Sequence, residues 1–436
     1  MSDYRRGFPQ GVLASTLIGR VGSDGKGLSG AERTFNQKLT AKSQKLALRR
    51  DAKGRLVRAS LRGAESEAES EIRNEGDSLH LSLDSVIQSE LEKELATAKE
   101  SSGALRAMGV MMDADSGEII AMAQTESYDA EKSRAVNPAM LRNRVLQDTF
   151  EPGSTLKPLV TALALEEKRL ARGEKLDCED GKIKVGKHTI RDVHPESVLS
   201  VKDVLVRSSN VCMVKIGLRM QDKLRTGLSE LGFGSKTGLE LGGEAAGIFR
   251  KDWREIDVAT ASFGHGLSVS ALQLVRAYAA LANGGRLVKP SILKDQLGES
   301  TRVLSPEVAK NISQMLRGVT EDEEGTGKNA KVAGLSVYGK TGTAEKTRIG
   351  GRGYDSDRVL ASFVGYVDAN ELGVDRKLVL YIGVDEPSVY PRWGGTLAAP
   401  VFSKVMEKTV SYLLRTEPGR IVTAKKTLKA NLSRHS

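Results

Sequence analysis

The stretch DTFEPGSTLKPLV, residues 148–160, admits two readings. Glu-Pro-Gly breaks the preceding structure, Ser154 is a favoured helix cap, and an apolar run follows through Leu156, Leu159, Val160, Leu163 and Leu165. On that reading Ser154 only starts a helix. On the other it is a nucleophile with its base, Lys157, three positions later on the same helix face. The pattern Ser-x-x-Lys does not decide, because it also occurs at Ser23/Lys26 and Ser291/Lys294.

Upstream, ALRAMGVMMDADSGEIIAMA (104–123) reads as two strands joined by an Asp-Ala-Asp-Ser-Gly turn. SVIQSELEKELATAKE (85–100) has helical spacing with Ser85 as cap, and SLHLSLD (78–84) alternates like a strand. Residues 54–61, GRLVRASL, read as hairpin strands, and the acidic GAESEAESEIRNEGD (63–77) places a boundary near 75. Downstream, a mostly helical middle extends from Ser154 to about Asn283. Strand patterns return at 335–346, 359–368 and 377–385, and a final amphipathic helix covers about 398–415. Strands at both ends with helices between them predict an α/β fold whose sheet is assembled from distant segments. The expected division is a partial N-terminal module over 1–75, a main domain over 76–416, and a basic, disordered tail over 417–436.

The chain has 436 residues, 39% hydrophobic and 28% charged, as in an ordinary soluble globular protein, and a net charge of +10. That charge permits an anionic partner. Seven Lys or Arg against one Asp lie between Ala41 and Arg58, but no nucleic-acid motif accompanies them, and aromatics make up only 4%. A solvated hairpin face and no nucleic-acid partner are the expectation. Cys178 and Cys212 form no Cys-x-x-Cys pair and suggest neither a zinc site nor a disulfide framework; Cys212 reads as packing. The five histidines never fall at metal-ligand spacing, so no metal is expected. There is no apolar run of 18 residues and no signal segment at Met1.

Two further motifs change the weight on Ser154. Ser208-Ser209-Asn210 stands between two helical runs, 54 residues after Ser154. Lys340-Thr341-Gly342-Thr343 ends an alternating strand 132 residues after Ser208. A second Lys-Thr-Gly, Lys236–Gly238, lies in a Gly-rich loop and reads as a decoy. A helix start, a loop and a strand carrying Ser-x-x-Lys, Ser-x-Asn and Lys-Thr-Gly in this order form the signature of penicillin-binding proteins and serine β-lactamases. Each member has a physical use. Burial and the nearby charge of Lys340 would keep Lys157 neutral and able to act as base. Gly342 would let a substrate backbone lie close to the strand, and the Thr341 and Thr343 hydroxyls would bind a carboxylate. The Ser154 N–H would stabilise an oxyanion, an effect of about 2.7–4 kcal/mol per donor.

With these residues in view, the chain resembles the class B penicillin-binding proteins, the peptidoglycan D,D-transpeptidases. RRGFPQGVLASTLIGRVGSDGKGLSGAERTFNQKL (5–39), ASFGHGLSVSALQLVRAYAALANGG (261–285) and VDEPSVYPRWGGTLAAPVF (384–402) also match. The short interval between Gly22 and Gly27-Leu28 looks like the division, or septal, type. The resemblance implies an antiparallel sheet sandwiched by helices, with a small β-rich remnant of a pedestal domain at the N-terminus. It implies Ser154 as acylated nucleophile, Lys157 as base, and Ser208 as proton shuttle. Asn210 would hold the acyl-enzyme, and Lys340, Thr341, Gly342 and Thr343 would form the substrate-binding strand. The implied partners are peptidoglycan stem peptides, β-lactams, and division-complex proteins including a glycosyltransferase, with no cofactor. The family works on the extracytoplasmic face of the bacterial membrane behind one transmembrane helix, which is not read in this chain.

Other readings share parts of this apparatus. A class A β-lactamase needs an added Glu past the second motif, and the candidates Glu240 and Glu244 lack its pattern. A D,D-carboxypeptidase differs only in its acceptor. A β-lactam sensor or scaffold is the non-enzyme reading. GTGKN (325–329) lacks the first Gly of a phosphate loop and the Ser or Thr after Lys, and GFGSKTG (232–238) has the wrong third-Gly spacing.

Overall fold

The computed structural model describes residues 6–40, 48–50, 56–58, 76–132, 136–348, 350–351 and 353–417. Its centre is a five-stranded sheet. β1 (Arg106–Asp113) and β2 (Ile119–Gln124) form the hairpin expected at 104–123. The Asp113 carboxylate accepts from the Asp115 and Ser116 amides at 3.0 and 2.9 Å, and Gly117 takes a positive φ of 83° that closes the turn. β3 (Val337–Thr347), β4 (Tyr354–Asp368) and β5 (Lys377–Asp385) follow two hundred residues later. The order is β3-β4-β5-β1-β2, antiparallel throughout, with β5 zipped to β1 from Leu378↔Asp113 to Asp385↔Arg106. β3 is therefore an outer strand with one free edge.

Both faces of the sheet are covered, and strand periodicity assigns the side chains. Met111, Phe363, Leu380 and Ile382 point to one face, where they meet Ile87, Leu91 and Leu95 of α1 (Ser85–Ser102) and Phe402, Val405 and Met406 of the C-terminal helix Ala399–Thr416. Val110, Met112, Val364 and Tyr381 point to the other, where the larger helical layer packs. That layer holds α2 (Lys157–Glu166), α3 (Asn210–Met220), α4 (Ala271–Ala282) and α5 (Pro306–Glu321). Each fully buried Leu or Ile here stabilises the fold by about 1.5–3 kcal/mol.

The structure departs from the sequence expectations in several places. Asp84 rather than Ser85 caps α1, because its carboxylate reaches the Val86 and Ile87 amides. Residues 78–84 form no strand; Leu81 makes a single bridge, to Leu293. The helical middle contains two small antiparallel pairs, Lys175–Asp177 with Val198–Ser200 and Lys182–Val185 with His188–Arg191. These strands are three or four residues long, too short for alternation to announce them. Cys178 and Cys212 form a disulfide with a Cα–Cα distance of 4.9 Å, which corrects the packing reading. Their spacing carried no framework pattern; the fold alone brings them together.

In the N-terminal segment, residues 6–40 carry one-turn helices at Ser15–Ile18, Gly30–Thr34 and Asn36–Leu39. Strand pairing among the described residues between 41 and 75 is confined to Leu48–Arg50 with Leu56–Arg58; the second strand falls within the expected 54–61 and the first lies before it. Ala14, Leu17 and Ala31 are buried in the main core, and Tyr128 donates its hydroxyl to the Ser15 carbonyl at 2.9 Å. The boundary near 75 and the tail beyond 417 lie outside the described residues. Among the described residues no helix is long and apolar enough to cross a membrane.

Candidate active site

Ser154 lies in a 3-10 turn, Gly153–Leu156, that runs directly into α2. It is not a cap: no side-chain cap bond closes either start, and Thr155 instead donates its hydroxyl to the Pro152 carbonyl at 2.6 Å. The turn is pinned from behind. Tyr278 of α4 donates its hydroxyl to the Thr155 carbonyl at 2.7 Å, and the Gly153 amide donates to the Gly264 carbonyl at 3.0 Å. A Cβ on Gly264 would stand 2.0 Å from the Gly153 carbonyl oxygen, so only glycine permits that approach. The bland and the chemical readings of 148–160 thus separate. The residue typed as a cap is held rigid, half-buried and facing a cavity of about 410 Å³.

Lys157 begins α2 and is fully buried. Its ammonium donates to the Ser208 carbonyl, to the Ser208 hydroxyl at 3.1 Å and to the Asn210 carboxamide oxygen at 2.8 Å. Burial, and then the charge of Lys340, hold its pKa well below the ordinary lysine range, and Asp192 opposes them. Ser208 itself has a positive φ of 62°, a conformation costing on the order of 1–3 kcal/mol that its bonds to Lys157 help to hold.

Asp192, which the sequence reading passed over, organises this wall. Ser209, the cap of α3, donates its hydroxyl to Asp192 at 2.6 Å, and the Val211 amide donates to it at 3.0 Å. The Asn210 amide is a third donor to the same carboxylate. An anion at a helix N-terminus is favourable both for the unpaired amides and for the helix dipole. Asn210 is held at both ends, its amide nitrogen donating to the Arg191 carbonyl at 3.1 Å. The signal was a lone Asp after a four-residue strand, with nothing in its spacing to mark it.

The third wall is β3. Lys340 is fully buried, and burial lowers its pKa to about 7. Thr341 donates its hydroxyl to Thr326 at 2.8 Å, and Thr343 accepts from the Gly394 amide at 3.1 Å. The reason for Gly342 differs from the one expected. A Cβ there would meet the Ser362 hydroxyl at 2.6 Å and the Thr155 methyl at 2.8 Å, not the cavity. Glycine is required so that β3 can approach the turn bearing Ser154. The segment 325–329, which failed as a phosphate loop, lies on the cavity wall through Thr326 and Asn329.

The cavity thus gathers Ser154, Ser208, Asn210, Thr341 and Thr343, with Lys157 and Lys340 immediately beneath. His265 and Trp393 also line it, and neither was singled out from the sequence. His265 is held neutral by burial, its pKa lowered to about 4, and its ring lies edge-on to Tyr354. The decoys fall elsewhere. Thr237 is bound to Glu244 at 2.6 Å in its Gly-rich loop, and Ser291 is bound to Glu240 at 2.9 Å.

The comparisons with known proteins converge on this geometry. Residues 107–407 match the family described as penicillin binding protein transpeptidase domain. The chain is 35% identical over 410 residues to the probable peptidoglycan D,D-transpeptidase PbpC of Pseudomonas aeruginosa, spanning 93% of this chain and 70% of that one. It is 31% identical over 428 residues to the peptidoglycan D,D-transpeptidase FtsI of Escherichia coli, spanning 97% and 70%. Among solved structures it is similar to penicillin binding protein 3 of Mycobacterium tuberculosis, with TM-score 0.79 and 28% identity over 95% of this chain and 91% of that one. That protein has also been solved complexed with aztreonam.

Proposed function

This chain belongs to the penicillin-binding transpeptidase family, and from that premise we propose how its residues divide the work. It is a serine D-Ala-D-Ala transpeptidase of the division type, cross-linking peptidoglycan stem peptides and acylated by β-lactams. The observation that carries the assignment of roles is the buried Lys157, stripped of its ordinary basicity, bonded to Ser208 and Asn210, and one turn after Ser154, whose carbonyl accepts from the Lys157 amide.

Neutral Lys157 takes the Ser154 proton as the Ser154 oxygen bonds to the carbonyl carbon of the penultimate D-Ala. The amides of Ser154 and Thr343 stabilise the oxyanion. The C–N bond then breaks, and the proton passes through Ser208 to the departing amine of D-alanine. Lys340, Thr341 and Thr343 hold the terminal carboxylate, and the free edge of β3 pairs with the extended substrate backbone. In the second half, the amine of a neighbouring stem forms the new amide bond, its proton leaves through Lys157, and the ester C–O bond breaks to restore the Ser154 hydroxyl.

Two observations bear on the competing readings. Glu240 and Glu244 are engaged in loop bonds to Ser291, Ile292 and Thr237, so neither is free to activate the deacylating water of a class A β-lactamase. A disulfide persists in oxidising compartments, which supports work on the extracytoplasmic face of the membrane. Division-complex proteins, a glycosyltransferase among them, complete the proposed setting.

The test is intact-protein mass after exposure to penicillin, followed over hours. One long-lived adduct is expected. Rapid loss of the adduct with drug turnover would point to a β-lactamase, and no adduct would remove the enzymatic reading. A second measurement probes the close approach of β3. Gly342→Ala should lower the acylation rate constant by about 10²-fold, since a displacement near 1 Å at reacting groups can cost that much. Stopped-flow acylation with a fluorescent penicillin reads it; a wild-type rate would show that the strand yields without consequence.

A further inference from the structure

The Cys178–Cys212 disulfide sits where it can do more than stabilise. Cys178 follows the short strand Lys175–Asp177, and Cys212 lies in the first turn of α3, two residues after Asn210. Both side chains are fully buried. The bond spans 34 residues of sequence, and inside that loop lie Asp192, His194, Arg207, Ser208, Ser209 and Asn210, all of which line the cavity. One entire wall of the cleft is therefore enclosed by a single covalent clip. The same seam carries an ion pair between Lys215 of α3 and Glu179, at 2.8 Å. Across it, Asp192 receives Ser209 and the Asn210 and Val211 amides.

The wall must hold its place because Lys157 depends on it. Its bonds to Ser208 and Asn210 all go to residues within the clip. Freed from Cys178, the start of α3 would keep only apolar packing against Leu176 and Ile183, its hydrogen bonds to Asp192 and the partly exposed ion pairs of Lys215 with Asp177 and Glu179, none of which fixes a position as a covalent bond does.

We infer that the Cys178–Cys212 disulfide is a positioning element for the second catalytic motif, setting Ser208 and Asn210 against Lys157. The inference rests on the roles proposed above. Opening the bond slows acylation; it does not merely loosen the fold. A staple of purely structural use would lower the melting temperature on removal and leave the chemistry of the cold, folded protein unchanged.

The experiment compares the full wild-type chain, made under oxidising conditions, with Cys178→Ser/Cys212→Ser. Alkylation of the denatured, unreduced wild type comes first. No mass gain is expected, and uptake of two alkyl groups would overturn the inference at once. Acylation by a fluorescent penicillin is then measured well below both melting temperatures and resolved into the saturation constant and the limiting rate. The limiting rate should fall about tenfold or more in the variant, with the saturation constant little changed, because proton transfer is sensitive to placement. Equal limiting rates, with only the melting temperature lowered, would overturn it. Should the double variant not fold, the wild type opened by a phosphine under native conditions gives the same comparison, and reoxidation should restore the rate. A wild type that takes no penicillin would defeat the enzymatic reading itself, an outcome distinct from equal rates in a protein that is acylated.

Discussion

Ser154→Ala is expected to take no penicillin at all, while the wild type gains the mass of one drug molecule. The side chain caps no helix, and the substitution keeps its Cβ, so stability should stay within about 0.5 kcal/mol of the wild type. The informative rival is Ser208, whose hydroxyl accepts from Lys157 at 3.1 Å. Ser154 is the better nucleophile on position. It stands in the turn feeding α2, where backbone amides converge on a developing oxyanion, whereas Ser208 occupies a strained bend between two helices. Peptide mapping distinguishes them. An adduct persisting on Ser154→Ala and mapping to Ser208 would exchange the nucleophile and the proton shuttle. Unchanged melting with lost labelling is the outcome that the geometry of the turn requires.

What the sequence disclosed follows the length of each signal. β5 is nine residues long, a nearly continuous apolar run buried on both faces, and its expected bounds match the structure residue for residue. The 104–123 hairpin was equally open, because its turn chemistry is local: Asp113 binds the amides two and three residues on. The three motifs were readable together rather than singly: Ser-x-x-Lys occurs three times and Lys-Thr-Gly twice, and only their order with Ser-x-Asn on a helix start, a loop and a strand picks out one copy of each. Asp192 and the disulfide were not, for the opposite reason. Both act across the fold, joining residues that follow strands of three or four residues to the first turn of α3, and neither spacing nor periodicity records a contact of that kind. Gly342 is intermediate. Its need for glycine was legible, but the direction of its missing side chain depends on where Thr155 and Ser362 lie.

Lys157→Ala should leave a protein that still folds and still binds but acylates more slowly by about 10²–10⁴-fold, the range of a general base. Some stability goes with it, about 1–3 kcal/mol, since the Asn210 oxygen and the Ser208 carbonyl lose their donor. The pH profile separates this base from a mere packing residue. In the wild type, Lys157 works only when neutral, and its lowered pKa means that the limiting acylation rate climbs as pH rises through that value. Lys340 works only when charged. In the empty site it loses its proton near pH 7, so carboxylate binding weakens above that pH, and a bound carboxylate draws the proton back. The acid limb therefore belongs to the rate constant and the alkaline limb to the saturation constant. Lys157→Ala removes the acid limb and keeps the alkaline one; Lys340→Ala does the reverse, and by removing a like charge it lets the Lys157 pKa rise. Acylation measured from pH 5 to 10 on the three proteins reads both limbs. An acid limb that survives Lys157→Ala would assign the base to another group, His265 at the cavity wall being the first to test, since removing the Lys157 charge lets its lowered pKa rise.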